Sequence, residues 1–281
     1  MFRERAVWSG GDAYEAYVGR WSRVVAEVFV RWLAVPAGRR WLDVGCGTGA
    51  LADRVLALAG PAHLVGVDPS EGFLTTARAR VVDTRATFLR GGAQALPLRG
   101  RSVHTVVSGL ALNFVPDPAR AVAEFARVVM PGGVVAAYVW DYAEGMAMMR
   151  YFWDAAVALD PAAAELDEGR FSLCRPDSLA RLWTDAGLAE VRVEAIAIPT
   201  VFTGFDDYWR PFLGGVGPAP GYVVSLPGEH RDALRDALRA SLPTDADGSV
   251  RLTASAWAVR GTAVEPAHRA PAPVPAPTSP R

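Results

Sequence analysis

The sequence predicts an α/β domain built on a parallel sheet covered on both faces. From residue 40 to residue 140, short apolar runs alternate with helical stretches, and the runs are apolar on both sides. Directly behind the first run stands GCGTG, three glycines in five positions.

The elements follow in order. Residues 14–33 place Val24, Val25, Val28, Phe29 and Leu33 at helical spacing, and the pattern stops at VPAGRR, where Pro36 and Gly38 break it. The runs RWLDV, HLVGVD, ATFLR, VHTVVSG and GVVAAYVW read as strands, and residues 50–59, 70–82 and 118–129 as the helices between them. After Trp140 the rhythm changes. Residues 146–159 are helical and rich in methionine and aromatics, PDSLARLWTDAGL is a helix closed by Gly187, and EVRVEAIAI alternates as a strand. Residues 202–242 then interrupt before a last alternating strand, RLTASAWAVRG, and the ending EPAHRAPAPVPAPTSPR is a Pro/Ala tail expected to stay extended.

Composition narrows the function classes. With 281 residues, 51% of them apolar, the chain can bury a core of one elaborated domain. A net charge of −1 gives no general attraction to phosphate backbones or anionic lipid, so neither nucleic acid nor membrane is an expected partner. Lysine is absent, which excludes a catalytic lysine. Cys46 and Cys174 form no CxxC or Cys/His pattern, so no metal site or disulfide framework is expected. With no leader-like apolar core at the start and no membrane-length apolar run, the expected location is the cytoplasm. Oligomeric state leaves no mark on the sequence.

The glycines carry the first chemical clue. Gly45, Gly47 and Gly49 stand where the first strand turns into a helix, and glycine there permits a tight turn with bare backbone against a ligand. About twenty residues on, VGVDPS ends the second strand in Asp68, whose carboxylate can accept hydrogen bonds from both ribose hydroxyls of an adenosine ligand. GCGTGA also satisfies a dinucleotide pattern, so a nicotinamide-dependent oxidoreductase is one reading. Asp43 points the other way: it suits an ammonium group and would repel a pyrophosphate. No Lys-Ser/Thr follows the glycines, which excludes a P-loop.

LDVGCGTG, VGVDPS, GGAQALPL, VVSGLALNFVPDP and RVVMPGGVVAAYVWD resemble, in order and spacing, the successive motifs of class I S-adenosylmethionine-dependent methyltransferases of the small-molecule, UbiE-like group. That resemblance is strong over residues 40–141. It implies a Rossmann-like, seven-stranded, mostly parallel sheet with helices on both faces, a last antiparallel strand beside EVRVEAIAI, and helical lid insertions. It also implies S-adenosylmethionine as cofactor and a small-molecule methyl acceptor as partner. The glycine turn would meet the methionine part, Asp68 the ribose, and GGAQALPL the adenine. In the family this last loop usually reads Gly-Asp-Ala-Glu; here Gly92 and Gln94 replace the two acids, leaving backbone around Ala93, Gln94 itself, and stacking around Pro69 and Phe73 to hold the base. Weaker cofactor binding is the expectation. Ser108 and Gly109 end the fourth strand beside the expected methionine, while His104 at its start is read as structural.

Tyr17, Arg20 and Trp21 fall within about one helical turn and either close over the cofactor, with arginine on its carboxylate, or simply pack on the domain. Substrate contacts are expected from the segments after the core strands. The candidates are Asn113, Trp140, Tyr142, Trp153, Tyr208, Trp209 and Tyr222, with Asp141 as a candidate proton acceptor or orienting group. This divides the chain into an N-terminal helical lid (1–36), a methyltransferase domain (37–261) with lid insertions at about 140–175 and 199–250, and the tail (262–281). A binding protein that keeps the cofactor pocket without catalysis is a further reading.

Overall fold

The computed structural model describes residues 19–215 and 217–265. Tyr17, the first half of the N-terminal lid and most of the Pro/Ala tail lie outside the described residues.

A seven-stranded sheet forms the centre, in the order β3-β2-β1-β4-β5-β7-β6. Its strands are β1 (Arg40–Val44), β2 (His63–Asp68), β3 (Ala86–Arg90), β4 (Val103–Gly109), β5 (Val129–Trp140), β6 (Leu188–Phe202) and β7 (Val250–Ala263). The first five pair in parallel, and β7 runs antiparallel between β5 and β6. The expected antiparallel last strand is therefore present, inserted where the resemblance placed it. β5 begins earlier than the GVVAAYVW run, because Val129 pairs with Val103 before the MPGG stretch bulges and Val134 resumes opposite Thr105.

Helices α1 (Arg20–Leu33), α2 (Ala50–Leu58), α3 (Glu71–Arg80), α4 (Pro118–Val128), α5 (Ala147–Leu159) and α6 (Pro176–Asp185) follow the expected stretches. The sheet is covered on both sides. Phe29 of α1 packs on Tyr138 of β5 with ring centroids 4.5 Å apart. Trp183 of α6 donates its indole N–H to the Val135 carbonyl at 2.9 Å and sits against Gly261, which lies opposite Val135 in the antiparallel pair. Side chains of Val135 and Tyr138 leave opposite faces of a pleated strand, so α1 and α6 do too. Local chemistry starts these helices: Ser70 accepts from Phe73 N–H to cap α3, and Asp117 accepts from Arg120 N–H to cap α4, whose first residue is Pro118.

Residues 203–249, within the stretch where the resemblance implies a helical insertion, fold into α7 (Phe205–Trp209), α8 (Pro218–Ser225) and α9 (Gly228–Ser241). They leave the carboxyl end of β6 and return at the start of antiparallel β7, so they sit at the same edge as the ends of β1, β2, β4 and β5. The segment after β5, with α5 and short helical turns to residue 174, leaves from that edge as well. Among the described residues no helix is long and apolar enough to cross a membrane.

Candidate functional site

The glycine turn is held from below by β2. The amides of Gly45 and Cys46 both donate to the Val67 carbonyl, at 2.8 and 3.2 Å. All three glycines have positive φ, +72° at Gly45, +53° at Gly47 and +88° at Gly49, a region L-residues rarely enter. A Cβ on Gly45 would also lie 2.5 Å from the Ala111 Cβ, whereas one on Gly47 would meet nothing within 4 Å. The turn is thus closed toward β4 at Gly45 and open at Gly47, where a ligand can lie against the backbone.

Asp68, at the end of β2, ties into the same turn. Its Oδ2 accepts from Gly47 N–H at 3.0 Å and its Oδ1 from Ser70 N–H at 2.8 Å. Burial raises its carboxyl above the ordinary value while these two amides oppose the shift. Each oxygen keeps a second lone pair, so the pinned carboxylate can still accept from two ribose hydroxyls. Asp43 is more extreme. Fully buried in β1, it has neither carboxylate oxygen bonded. Burial first, and the Asp68 charge second, push it up to about 8. A buried carboxyl without a donor is costly and calls for a cationic or hydrogen-bonding partner. Beside it, burial pushes the Cys46 thiol well above its ordinary value, which leaves it inert.

The GGAQALPL loop follows β3 and folds back on itself. Gly91 N–H bonds the Asp68 carbonyl at 3.1 Å, and Ala95 N–H closes on the Gly92 carbonyl at 3.2 Å. The Gln94 carbonyl accepts from Arg120 Nε at 3.0 Å, so the backbone on offer narrows to Ala93 and its neighbours. A Cβ on Gly92 would meet nothing within 4 Å. Pro69 follows Asp68 directly, and Phe73 lies in the first turn of α3. Ser108 is buried at the end of β4, and Gly109 is required there because a Cβ would fall 2.6 Å from the Tyr138 hydroxyl. His104 is structural as expected, its Nδ1 accepting from Arg40 N–H at 3.1 Å.

The first turn of α1 faces the insertion after β6. Arg20 Nη1 bonds Asp207 Oδ1 at 2.9 Å, and its guanidinium lies 4.7 Å from the rings of both Trp21 and Phe202. It is Arg23, one turn on, that lines a cavity of about 290 Å³ with Thr48, Gly49, Asp53, Arg80 and Val81. No motif or spacing marks Arg23 in the sequence.

On the acceptor side, several candidates prove to be packed core. Trp153, Tyr208, Trp209 and Tyr222 join Phe152 and Phe212 in one aromatic cluster. Tyr208 donates its hydroxyl to the Met148 carbonyl at 2.8 Å, and Trp153 its indole N–H to Glu168. Tyr142 is buried at the start of the segment after β5. Asn113 Nδ2 and Trp140 Nε1 differ: both are buried without a partner, at the ends of β4 and β5. Asp141, next to Trp140, accepts from Glu144 N–H at 3.1 Å, and Gly145 lets the turn close against its second oxygen. Glu168 was not anticipated, since it sits in a loop with no periodic pattern; it is 2% exposed, and burial raises its carboxyl to about 7. No group of three or more possible metal ligands occurs among the described residues.

Residues 42–137 match the family described as a methyltransferase domain. An uncharacterized methyltransferase of Mycobacterium tuberculosis is 41% identical over 112 residues, covering 40% of this chain and 44% of that protein. The ubiquinone/menaquinone biosynthesis C-methyltransferase UbiE of Dinoroseobacter shibae is 39% identical over 118 residues, covering 40% and 46%. The chain therefore spans under half the length of these curated relatives. A solved phosphoethanolamine N-methyltransferase of Haemonchus contortus, in complex with S-adenosyl-L-methionine, superposes with a TM-score of 0.57 at 17% identity over 94% of this chain and 58% of that one, a likeness of fold. The ordered motifs, the antiparallel β7 and the glycine turn over Asp68 agree with the methyltransferase-domain match of residues 42–137.

Proposed function

We propose that the chain transfers a methyl group from S-adenosylmethionine to a small-molecule acceptor. The observation that carries this is the pairing of an open glycine turn with two buried acids at the ends of β1 and β2, one pinned by backbone amides and one with neither oxygen in full hydrogen-bonding geometry. This arrangement suits a ligand with a ribose and a cationic amino group, and it is poor for a pyrophosphate.

S-adenosylmethionine supplies, when bound, a methyl group on a positively charged sulfur that leaves as a neutral thioether. Asp68 holds the ribose, Asp43 faces the ammonium, and the backbone of Gly47, Ser108 and Gly109 lines the methionine. Ala93 and its neighbouring amides meet the adenine edge. The chain's main contribution is then position: holding the acceptor atom about 3 Å from the methyl and in line with the leaving sulfur supplies much of the acceleration. Asn113, Trp140 and Asp141 crowd the ends of β4 and β5, where the acceptor would approach. Two of them carry unpaired buried donors that suit an acceptor's oxygen, and Asp141 is the candidate to orient it or take its proton. The lid over residues 203–249 closes the site from water. UbiE-like relatives support a small-molecule acceptor, and a cytoplasmic site of action is part of the same proposal.

The test is single-turnover transfer of labelled methyl from S-adenosylmethionine to a small-molecule extract. Label should appear in a low-molecular-mass product. Cofactor binding without any transfer would support the non-catalytic reading instead.

A further inference from the structure

A second cavity, of about 850 Å³, lies where the start of α1 meets the insertion after β6. That volume is within the range of roughly 300–1,000 Å³ typical of small-molecule sites. Its lining includes Arg20, Phe205, Asp207, Arg210, Pro211 and Arg239, and none of the glycine-turn residues. β6 is four strands from β1, about 19 Å at ~4.8 Å per strand, so this cavity belongs to the acceptor end of the edge.

Arg20 is built to present one particular edge. The rings of Trp21 and Phe202, 5.6 Å apart, flank its guanidinium from one side and Asp207 takes Nη1, while Asp207 itself is fixed by Thr203 N–H at 3.0 Å. Nε and Nη2 remain, buried and without a partner. Those two atoms carry the parallel N–H pair that matches a carboxylate or phosphate two-pronged. Leaving such charged donors buried and unmatched is unfavourable, so the site favours a ligand that supplies the anion. Arg210 makes no ion pair among the described residues, and Arg239 lies 3.6 Å from Asp206 and 4.5 Å over the Phe205 ring. Three arginines thus face two aspartates, beside an apolar wall of Phe205 and Pro211.

We infer that this cavity is the anion subsite of the methyl acceptor, taking the carboxylate or phosphate of a small organic acid whose apolar body lies on Phe205 and Pro211. The inference rests on the methyl-transfer reading for the word acceptor, but the chemistry it assigns to the cavity is read by binding alone.

Ligand-observed NMR on the full chain, with and without S-adenosylhomocysteine, would use phenylacetate, phenyl phosphate, inorganic phosphate and the neutral benzyl alcohol. At least one aryl anion should bind about tenfold or more tighter than benzyl alcohol and than inorganic phosphate. Arg210→Gln and Arg20→Gln should each weaken that anion about tenfold. Calorimetry should show S-adenosylhomocysteine affinity unchanged in Arg210→Gln and within about twofold in Arg20→Gln. Equal binding of anionic and neutral probes, or indifference of the anion to Arg210→Gln, overturns the inference. An Arg20→Gln variant that loses S-adenosylhomocysteine as strongly as the probe overturns it too, by assigning that edge to the cofactor carboxylate. Because Arg210→Gln alters an exposed residue, it keeps the test sound if Arg20→Gln fails to fold. A wild-type chain that takes the aryl anion but no S-adenosylhomocysteine would defeat the methyl-transfer reading and leave the cavity's chemistry standing.

Discussion

Over β1 and β2 the carboxyl edge is bare backbone and buried acid, while over β5, β7 and β6 it is aromatic. At the first end, Asp68 is pinned by two amides, while neither oxygen of Asp43 is within full hydrogen-bonding geometry of a donor and only the Ala52 amide approaches it. At the second, Trp153 and Tyr208 have their polar ends satisfied inside the lid, and the unmatched groups are donors: Asn113, Trp140 and Arg20. The two ends therefore want opposite things. A cationic, hydroxyl-bearing ligand completes the first; an anion or oxygen acceptor completes the second.

The largest expected effect compares one buried carboxyl from each end. Burial raises Glu168 from an ordinary value of 4.5 to about 7, and burial with Asp68 raises Asp43 to about 8. A carboxyl whose folded value is raised contributes stability in full below its unfolded value and loses it as pH rises through the folded one. Stability to urea, without cofactor, should therefore fall between about pH 4 and about pH 8, with Glu168 accounting for roughly 3 kcal/mol of the fall below about pH 7. Glu168→Gln should remove about half of the slope below about pH 7 and leave the fall above it, whereas Asp43→Asn should halve the slope below about pH 7 and abolish the fall above it. A wild-type urea midpoint that stays level across this range would show that neither carboxyl is held neutral by the fold.

Next in size is Asp68→Ala. It removes the ribose acceptor together with two anchors of the turn, and S-adenosylhomocysteine should bind about 100-fold more weakly by calorimetry. Undiminished uptake would break the assignment of the β2 end to the cofactor.

These two effects also mark what the sequence could and could not reveal. RWLDV, HLVGVD and VHTVVSG coincide with β1, β2 and β4 because buried parallel strands write themselves as continuous apolar runs between glycine and proline breaks, and ATFLR, the edge strand β3, keeps only Phe88 buried. Asp68 was legible for the same reason: its chemistry depends on a strand end and a turn close in sequence. Glu168 and the Arg20–Asp207 pair were not. The pair joins residues 187 positions apart, and Glu168 gains its raised value only because a loop without periodicity folds under Trp153. The aromatic lid residues show the converse, since side chains suited to a flat substrate are equally suited to packing on one another. Only the hydrogen-bond partners of Trp153 and Tyr208 distinguish the two roles.

Paired tryptophan replacements sharpen that distinction. Trp153→Phe strips Glu168 of its indole donor and should cost about 2 kcal/mol of folding stability near neutral pH. Trp140→Phe removes a donor that has no partner, so its cost should stay within about 1 kcal/mol, with any larger loss confined to acceptor binding. Urea unfolding of both variants, read side by side, decides it; equal costs would mean that Trp140 has a structural role like that of Trp153.

The smallest effect is a gain. Gly92 stands where the related motif carries the aspartate that accepts from the adenine amino group, and a Cβ there meets no atom within 4 Å. Its φ is not in the left-handed region, so a side chain enters without backbone strain. Gly92→Asp should then add one hydrogen bond to the base, about 1 kcal/mol, or roughly fivefold tighter S-adenosylhomocysteine. Replacing the adenine amino group by oxygen, as in S-inosylhomocysteine, removes the donor and should abolish the gain. A gain of equal size for both ligands would mean that the new charge acts on the site at large, and the loop after β3 would lose its assignment to adenine.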